Sequence, residues 1–308
     1  MNTQHWIDHF ETNTRLNHEL QLPDAPCASP DEVRIPLAES LAIFQLGESG
    51  GGTRLRRYTR SIAALENLKG YQRAVDLFVA EEQSHAALLA RTVTHLRGTL
   101  LRKQWTNSIF RWLRDLVNLE FNIQVLLTAE LIAEVYFGLL ALRCSDPVVQ
   151  TVSRKLLRDE MGHLSFQRDF LFERLKTLTP AMQRLWRWQF QLIHFGTTCV
   201  VAWDHRDCLR TLNITPAGFR ARAVQCWRSF QSRLDRRLRD FSAPESPAFP
   251  SASGCGRSSD AACENRPDEL PEERGCAESL PFIRTGREMH HAWNRAGVSA
   301  FPDHSAHV

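Results

Sequence analysis

The feature that most constrains this chain is a Glu-x-x-His motif that occurs twice, each time inside a segment with helical periodicity. The first motif ends Glu82-Gln83-Ser84-His85 and the second ends Glu160-Met161-Gly162-His163. Residues three positions apart lie on the same face of a helix, so each motif presents a carboxylate and an imidazole together. Both motifs stand where the apolar repeat calls for hydrophobic residues. The sequence therefore predicts two inward-facing carboxylate–imidazole pairs.

The apolar stripes that contain the motifs advance in steps of three and four residues. The first stripe comprises Leu68, Tyr71, Val75, Phe78, Leu89 and Val93, and the second comprises Val149, Val152, Leu156 and Phe170. Such a repeat marks the buried face of a helix. A buried ionised group costs roughly several kcal/mol unless something compensates it. Two such pairs facing inward therefore favour a bound cation.

Two further stripes carry glutamates, Glu48 before the first motif and Glu130 or Glu134 between the motifs. Glu48 and Glu82 are 34 residues apart, and Glu130 and Glu160 are 30 residues apart, so each interval fits one helical hairpin. Four carboxylates carry a charge that two divalent cations neutralise. Carboxylates with imidazoles suit iron or manganese, whereas thiolates would favour zinc or an iron–sulfur cluster.

The order Glu, Glu-x-x-His, Glu, Glu-x-x-His resembles that of the di-iron and di-manganese carboxylate proteins of the ferritin-like superfamily. The resemblance covers roughly residues 34–175, and the stretch Phe44-Gln45-Leu46-Gly47-Glu48 looks more like bacterial di-iron proteins than like ferritin itself. It implies two iron ions, with manganese or a mixed iron–manganese pair as alternatives. The implied ligands are two bridging glutamates, one histidine for each ion, and two terminal glutamates: Glu82 and Glu160, His85 and His163, Glu48 and Glu130.

Four other residues are candidates for supporting roles. Glu81 and Asp159 precede the motif glutamates and are placed to accept a hydrogen bond from a ligand imidazole, as metal-bound histidines require; a solvated charge is the alternative. Glu134 is a candidate outer group or a ligand that shifts with redox state. His205 is a candidate extra ligand, against the simpler interpretation of a structural pair with Asp204.

The predicted fold is all-α, with a ferritin-like four-helix bundle at residues 34–178. A lead-in at 1–33 contains a short helix around Trp6–Phe10, and two additional helices occupy 179–241. The first bundle helix is expected to run unbroken from Pro36 to Glu66, with Gly50–Gly52 producing a kink or leaving room beside the metals. A crossover at 98–116, with a short helical piece at 108–114, joins the second and third bundle helices.

The tail at 242–308 is predicted to be disordered, because seven of the fourteen prolines follow Asp240 among many Ser, Ala, Glu and Gly residues. The net charge of +3 is too small to indicate a nucleic-acid partner. No uninterrupted apolar run has the length of a transmembrane helix, and residues 1–20 lack a signal-peptide pattern. Eight cysteines without a Cys-x-x-Cys pair fit a reduced, cytoplasmic protein.

These features predict an O2-dependent oxidase or oxygenase that acts on a small organic substrate with an external electron donor. Phe44, Phe78, Phe137 and Phe166 lie about one turn from the predicted ligands and are core residues or the lining of a dry substrate pocket. The alternatives are iron or peroxide handling of the ferritin or rubrerythrin type and a non-catalytic metal-binding bundle. The two additional helices present a basic, solvated face, with a homodimer contact or a lipid-facing surface as alternatives.

Overall fold

The computed structural model describes residues 1–50, 52–66, 69–104 and 119–242. These residues form helices joined by turns and short loops, with no strand among them, which confirms the all-α prediction. The nine described helices are α1 (Thr3–Glu19), α2 (Asp31–Glu48), α3 (Thr53–Glu66), α4 (Tyr71–His95), α5 (Leu119–Arg143), α6 (Pro147–Leu175), α7 (Pro180–Asp204), α8 (Arg206–Thr211) and α9 (Pro216–Ser242). Most of the predicted crossover, its helical piece and the predicted tail lie outside the described residues.

Helices α5 and α6 form an antiparallel hairpin around a tight turn. The Asp146 carboxylate accepts hydrogen bonds from the amides of Val148 and Val149 at 2.9 and 3.0 Å, and Pro147 is the first helical residue. A side-chain cap and a proline at this position are the usual start of a helix, because both deal with amides that lack a helical partner. The turn predicted at Ser145-Asp146-Pro147 is confirmed.

The prediction of one unbroken helix over 36–66 is wrong, because α2 ends at Glu48 and α3 begins at Thr53. Gly52, between them, has a φ of 61°, and a Cβ at this position would lie 2.5 Å from Val79 Cγ1. Only glycine accepts this left-handed backbone at so close an approach. Both halves contact α4, with Gly52 against Val79 and Arg56 bonded to Asp76, so the chain follows the same neighbour on both sides of the break after Glu48.

Helices α2, α4, α5 and α6 share one apolar core. Among its members, Leu37, Leu89, Tyr136, Leu140, Val149 and Leu156 are fully buried. Helix α2 is antiparallel to α4, since Arg34 near its start donates to the Leu96 carbonyl at 2.7 Å beyond the end of α4. Each of these four helices carries one of the predicted ligand glutamates.

Helix α1 is longer than the predicted short helix and packs against α4. The Phe10 side chain is fully buried, and its ring centroid lies 6.1 Å from those of Phe78 and His163. Trp6 Nε1 donates to Asp169 Oδ2 on α6 at 3.0 Å. The N-terminal helix therefore covers one side of the paired motifs.

The C-terminal part comprises α7, α8 and α9, one more helix than the predicted pair. Helices α7 and α9 pack on α5 and on each other, and α8 packs on α2. Gln124 on α5 donates to the Trp186 carbonyl at 3.1 Å, and Arg187 pairs with Asp235 at 2.7 Å. Helices α7 and α9 thus cover α5, and α9 also contacts α6, where Arg237 pairs with Asp169.

Helix α5 is the one described helix that is long and apolar enough to cross a membrane, over Ile123–Arg143. The sequence analysis did not recognise this stretch, because Glu130 and Glu134 interrupt the apolar run. The most apolar 18-residue window of this stretch is 72% buried inside the protein. This degree of burial is typical of the central helix of a helical core.

We expect Phe10→Ala to lower the free energy of unfolding by about 3–5 kcal/mol, because it removes a fully buried ring beside the second motif. Chemical denaturation monitored by circular dichroism measures the change. Leu16→Ala on the same helix is the control, since Leu16 is 47% exposed, and its effect should stay within about 0.5 kcal/mol. Equal effects of the two substitutions would show that α1 does not stabilise the core.

Candidate metal centre

The two Glu-x-x-His motifs face each other across the contact between α4 and α6. Both imidazoles are fully buried, and the ring centroids of His85 and His163 are 5.4 Å apart. Each motif glutamate lies one turn before its histidine on the same helix face. The facing helices therefore bring two carboxylates and two imidazoles into one buried group.

His163 stands at the meeting point of three carboxylates from three helices. Its Nδ1 lies 3.0 Å from Glu82 Oε1, 3.2 Å from Glu130 Oε2 and 3.4 Å from Glu160 Oε2. Around a metal ion with bonds of ~2.0–2.2 Å, neighbouring nitrogen and oxygen ligands are ~3 Å apart. The spacing of these atoms therefore matches that of ligands sharing a cation.

His85 faces the same group from α4. Its Nδ1 is 3.7 Å from Glu160 Oε1 and 3.9 Å from Glu82 Oε1. Glu82 and Glu160 thus each approach both imidazoles, whereas Glu130 is placed beside His163.

The outer nitrogen of each imidazole is bonded to an acid on the opposite helix. His85 Nε2 lies 2.9 Å from Asp159 Oδ2, and His163 Nε2 lies 3.1 Å from Glu81 Oε2. All four side chains are buried. A hydrogen bond at Nε2 fixes the orientation of the ring, so Nδ1 of each histidine is directed at the carboxylate group.

Two supporting residues were missed by the sequence analysis. Lys155 is buried and donates to Asp159, one turn away on α6. Gln167 Nε2 donates to Glu130 Oε1 at 3.2 Å. Both lie four residues from predicted site residues on α6, so the helical repeat that identified the motifs would also have pointed to them.

The charges of the group depend on one another. Burial and the Glu82 carboxylate raise the pKa of Glu48 well above its usual range, and burial and Glu130 do the same for Glu160. Although burial opposes ionisation, hydrogen bonding to Glu48 and the charge on His163 lower the pKa of Glu82 to about 2. Burial likewise opposes a charge on His163, but Glu130 and Glu82 raise its pKa well above the usual value. Burial thus favours the protonated forms of Glu48 and Glu160, whereas the neighbouring carboxylates keep a proton on His163 in spite of burial.

The residues present fit a bound metal. Three buried atoms in the group have no hydrogen-bond partner: Glu82 Oε1, His85 Nδ1 and Glu160 Oε2. Buried polar atoms are normally bonded, and an unpaired one costs about 1–3 kcal/mol. All three are of the kinds that coordinate iron or manganese. The three unpaired atoms indicate a bonding partner, such as a metal ion, that the protein side chains do not provide.

Glu134 and His205, the two further candidates, lie outside the ligand group. Glu134 Oε2 accepts from the Cys226 thiol at 3.3 Å. His205 Nδ1 lies 2.6 Å from Ser40 Oγ, which is in turn 2.5 Å from the Tyr136 hydroxyl. Glu130 is therefore the α5 carboxylate within reach of the imidazoles.

A cavity of about 180 Å³ opens beside the carboxylates. Glu48, Glu82, Glu130 and Glu160 form one part of its wall, and His205 and Asp204 line it as well. The rest of the lining is mainly apolar and comes from α2, α5 and α7: Ile43, Phe44, Val125, Leu126, Ile132 and Val201 are examples.

Of the predicted pocket residues, Phe44 lines this cavity of about 180 Å³, whereas Phe78 and Phe166 line a separate cavity of about 40 Å³. The glycine that lines the cavity of about 180 Å³ is Gly47, rather than Gly50 or Gly52.

A second group of metal-ligand residue types is already explained by hydrogen bonding. Cys27, His95 and Asp146 place one potential ligand atom each within 4.8 Å of the others. Asp146 Oδ2 is 2.9 Å from His95 Nε2, and its Oδ1 caps α6. Both carboxylate oxygens are therefore satisfied by the protein.

Comparison with known proteins leaves the site to be judged on its own geometry. No protein-family model, curated protein or solved structure matches the chain.

We expect Asp159→Asn to weaken metal binding by about 10–100-fold, because it weakens the hydrogen bond that orients His85. Metal retained per chain in the presence of a competing chelator measures the effect. Asp169→Asn, on the same helix but bonded to Trp6, is the matched control and should bind metal as the wild type does. Equal metal retention in the two variants would contradict an orienting role for Asp159.

Proposed function

We propose that this chain is a ferritin-like di-iron carboxylate protein that uses O2 to oxidise or oxygenate a small organic molecule. The observation that carries the proposal is a largely buried cluster of two groups that share His163, which borders a mainly apolar cavity: Glu82, His85 and His163, and Glu130, Glu160 and His163. Manganese or a mixed iron–manganese pair fits the same ligand types.

The topology supports the ferritin-like assignment. One ligand glutamate comes from each of four helices, and the second and fourth of them, α4 and α6, also supply the histidines. This arrangement of ligands on a helical bundle is the one used by di-iron carboxylate proteins. Helices α1, α7, α8 and α9 are additions that cover the bundle.

The distances favour a definite role for each ligand. Glu82 and Glu160 lie between the two imidazoles and approach both, as bridging carboxylates must. Glu130 is placed to serve the ion held by His163. Glu48 interacts with Glu82 and also lines the cavity. As the remaining carboxylate, it would bind the ion held by His85.

The cavity supports a small, mainly apolar substrate. Its volume of about 180 Å³ is below the ~300–1,000 Å³ of pockets for drug-sized ligands. If the carboxylates and imidazoles hold two reduced iron ions, these would provide the electrons for O2 reduction, while the protein residues bind and orient the substrate. The apolar lining from α2, α5 and α7 holds the substrate beside the carboxylates and limits the entry of water.

His205 is the polar group best placed to act on a bound substrate. It is buried at the cavity wall, and burial lowers its pKa to about 4, so the imidazole is neutral at pH 7. Ser40 and Tyr136 hold its Nδ1 side through a chain of short hydrogen bonds. A neutral, oriented imidazole can exchange a proton with a substrate or accept a hydrogen bond from it.

The metal assignment predicts that Glu82→Ala and Glu160→Ala each lose nearly all bound iron or manganese. Both changes remove a carboxylate that approaches both imidazoles and leave the remaining buried charges poorly compensated. Metal analysis of chains purified aerobically and reconstituted with ferrous iron provides the test. Glu134→Ala is the matched control and should keep about two ions per chain, the count that four carboxylates neutralise. Full loading of the Glu82→Ala or Glu160→Ala variant would refute the ligand assignment.

The reaction is tested with isotopically labelled O2, the iron-loaded protein and an excess of a chemical reductant in a small-molecule cell extract. We expect a low-molecular-weight product, labelled or oxidised, to form in excess over the protein, as seen by mass spectrometry. Ala129→Phe places a ring in the cavity and should abolish the product while leaving metal content unchanged. Storage of many irons per chain without an organic product would favour ferritin-type iron handling instead.

A further inference from the structure

Helix α7 exposes a continuous line of large apolar side chains. Eleven large hydrophobic residues are exposed in the described part of the chain, and six of them lie on this helix. We call these six the α7 stripe: Met182, Leu185, Trp188, Leu192, Phe195 and Trp203, each between 51% and 64% exposed. Isolated exposed apolar residues are ordinary, but a contiguous patch of this kind marks an interaction surface.

The spacing of the stripe indicates that its partner is a helix. Leu185, Trp188, Leu192, Phe195 and Cys199 follow one another at intervals of three, four, three and four residues. This is the heptad repeat, with a period of 3.5 residues, that keeps a narrow seam facing another helix. The opposite face of α7 is already used, since Trp186, Phe190, His194, Thr198 and Ala202 are buried against the protein.

Few charged side chains lie along the stripe, the exceptions at its C-terminal end being Arg206, which stacks on Trp203, and Arg220, which donates to Cys199 Sγ at 3.8 Å. Between Met182 and Trp203 the charged side chains are Arg184 and Arg187, and Arg187 is paired with Asp235 of α9. The residues that flank the seam are mainly uncharged, among them Gln189 and Gln191. A second copy of the same stripe therefore meets little electrostatic repulsion, which is a requirement for an isologous contact.

Gly196 is the second observation that points to a partner. It lies in the interior of α7, next to Phe195, where glycine is disfavoured relative to alanine. A Cβ at this position would meet nothing within 4 Å, so packing within the chain does not require a glycine here. A gap in an apolar seam is useful where a bulky side chain of another molecule enters it.

We infer that the α7 stripe is the interface of a homodimer in which the two copies of α7 pack antiparallel about a two-fold axis at Leu192. This arrangement sets Trp188 of each copy against Gly196 of the other, and Leu185 against Cys199. Large residues then face small ones at both ends, as close packing requires. A parallel arrangement would instead place Trp188 opposite the Trp188 of the partner, and Gly196 opposite the Gly196 of the partner, which would leave a gap between the two glycines.

The area of the stripe suits a dimer. Six side chains of ~150–250 Å², each a little over half exposed, bury ~700 Å² per copy. This approaches the ~800 Å² per partner of a stable protein–protein interface before flanking residues are counted. A lipid surface would use the apolar area as well, but it conforms to any contour and gains nothing from a gap at Gly196.

The mass of the full chain in solution tests the inference. Analytical ultracentrifugation at micromolar concentration should give twice the chain mass of 35.3 kDa. Leu192→Glu brings two carboxylates together at the centre of the apolar seam and should weaken the dimer by ~100-fold or more. Leu142→Glu, at another exposed leucine on α5, is the matched control and should remain dimeric. Circular dichroism confirms that both variants are folded.

The antiparallel packing has its own test. Gly196→Trp has room within its own chain but collides with Trp188 of the partner, so it should weaken the dimer. Combining it with Trp188→Ala should restore the wild-type mass, because the large residue and the gap have then exchanged places. Failure of the double variant to recover, with a dimeric wild type, would overturn the antiparallel arrangement.

Two other results would overturn the dimer itself. A monomeric wild type that floats with vesicles of anionic lipid would assign the stripe to a membrane surface. A monomeric wild type that does not bind the vesicles would show that the stripe binds a different partner. Glu82→Ala should remain dimeric, because the stripe faces away from the protein core, so the metal and dimer proposals can fail separately.

Discussion

The structure depends on keeping ionisable groups inside an apolar helical core. Acidic side chains from α4, α5 and α6 converge on two imidazoles, and neither type is stable there alone. The surrounding residues are arranged to keep this group in order: opposing acids hold the outer ring nitrogens, Lys155 supports Asp159, and Gln167 supports Glu130. The packing of α4 against α6 therefore determines the chemistry that the site can perform.

Helix α7 connects the interior chemistry to the molecular surface. Thr197 and Val201 on its inner side line the cavity, and its outer side carries the stripe. Asp204 and His205 follow at its end, where the chain turns into α8. A partner that packs on the stripe would thus also restrain one wall of the cavity, which would link association to the shape of the proposed substrate site.

The sequence reveals those features of the molecule that are local. Helical periodicity identifies the motifs, their apolar faces and the α5–α6 turn, because each is encoded within one segment. The break after Glu48 is not predictable in this way, since a run of glycines is compatible with both a kink and a turn. The bonds from His85 to Asp159 and from His163 to Glu81 depend on the register between two helices, which neither segment specifies alone. The contact of Phe10 with His163 is likewise a product of tertiary packing.

The order of the ligands along the chain has a consequence for biosynthesis. His163 is the last of the six proposed ligands, so a nascent polypeptide cannot complete the set until most of α6 has emerged. The cavity wall supplied by α7 is translated later still. An ion that binds the growing chain is therefore in an open, hydrated pocket at first. The pocket is shielded from water only after the C-terminal helices have been translated and have packed.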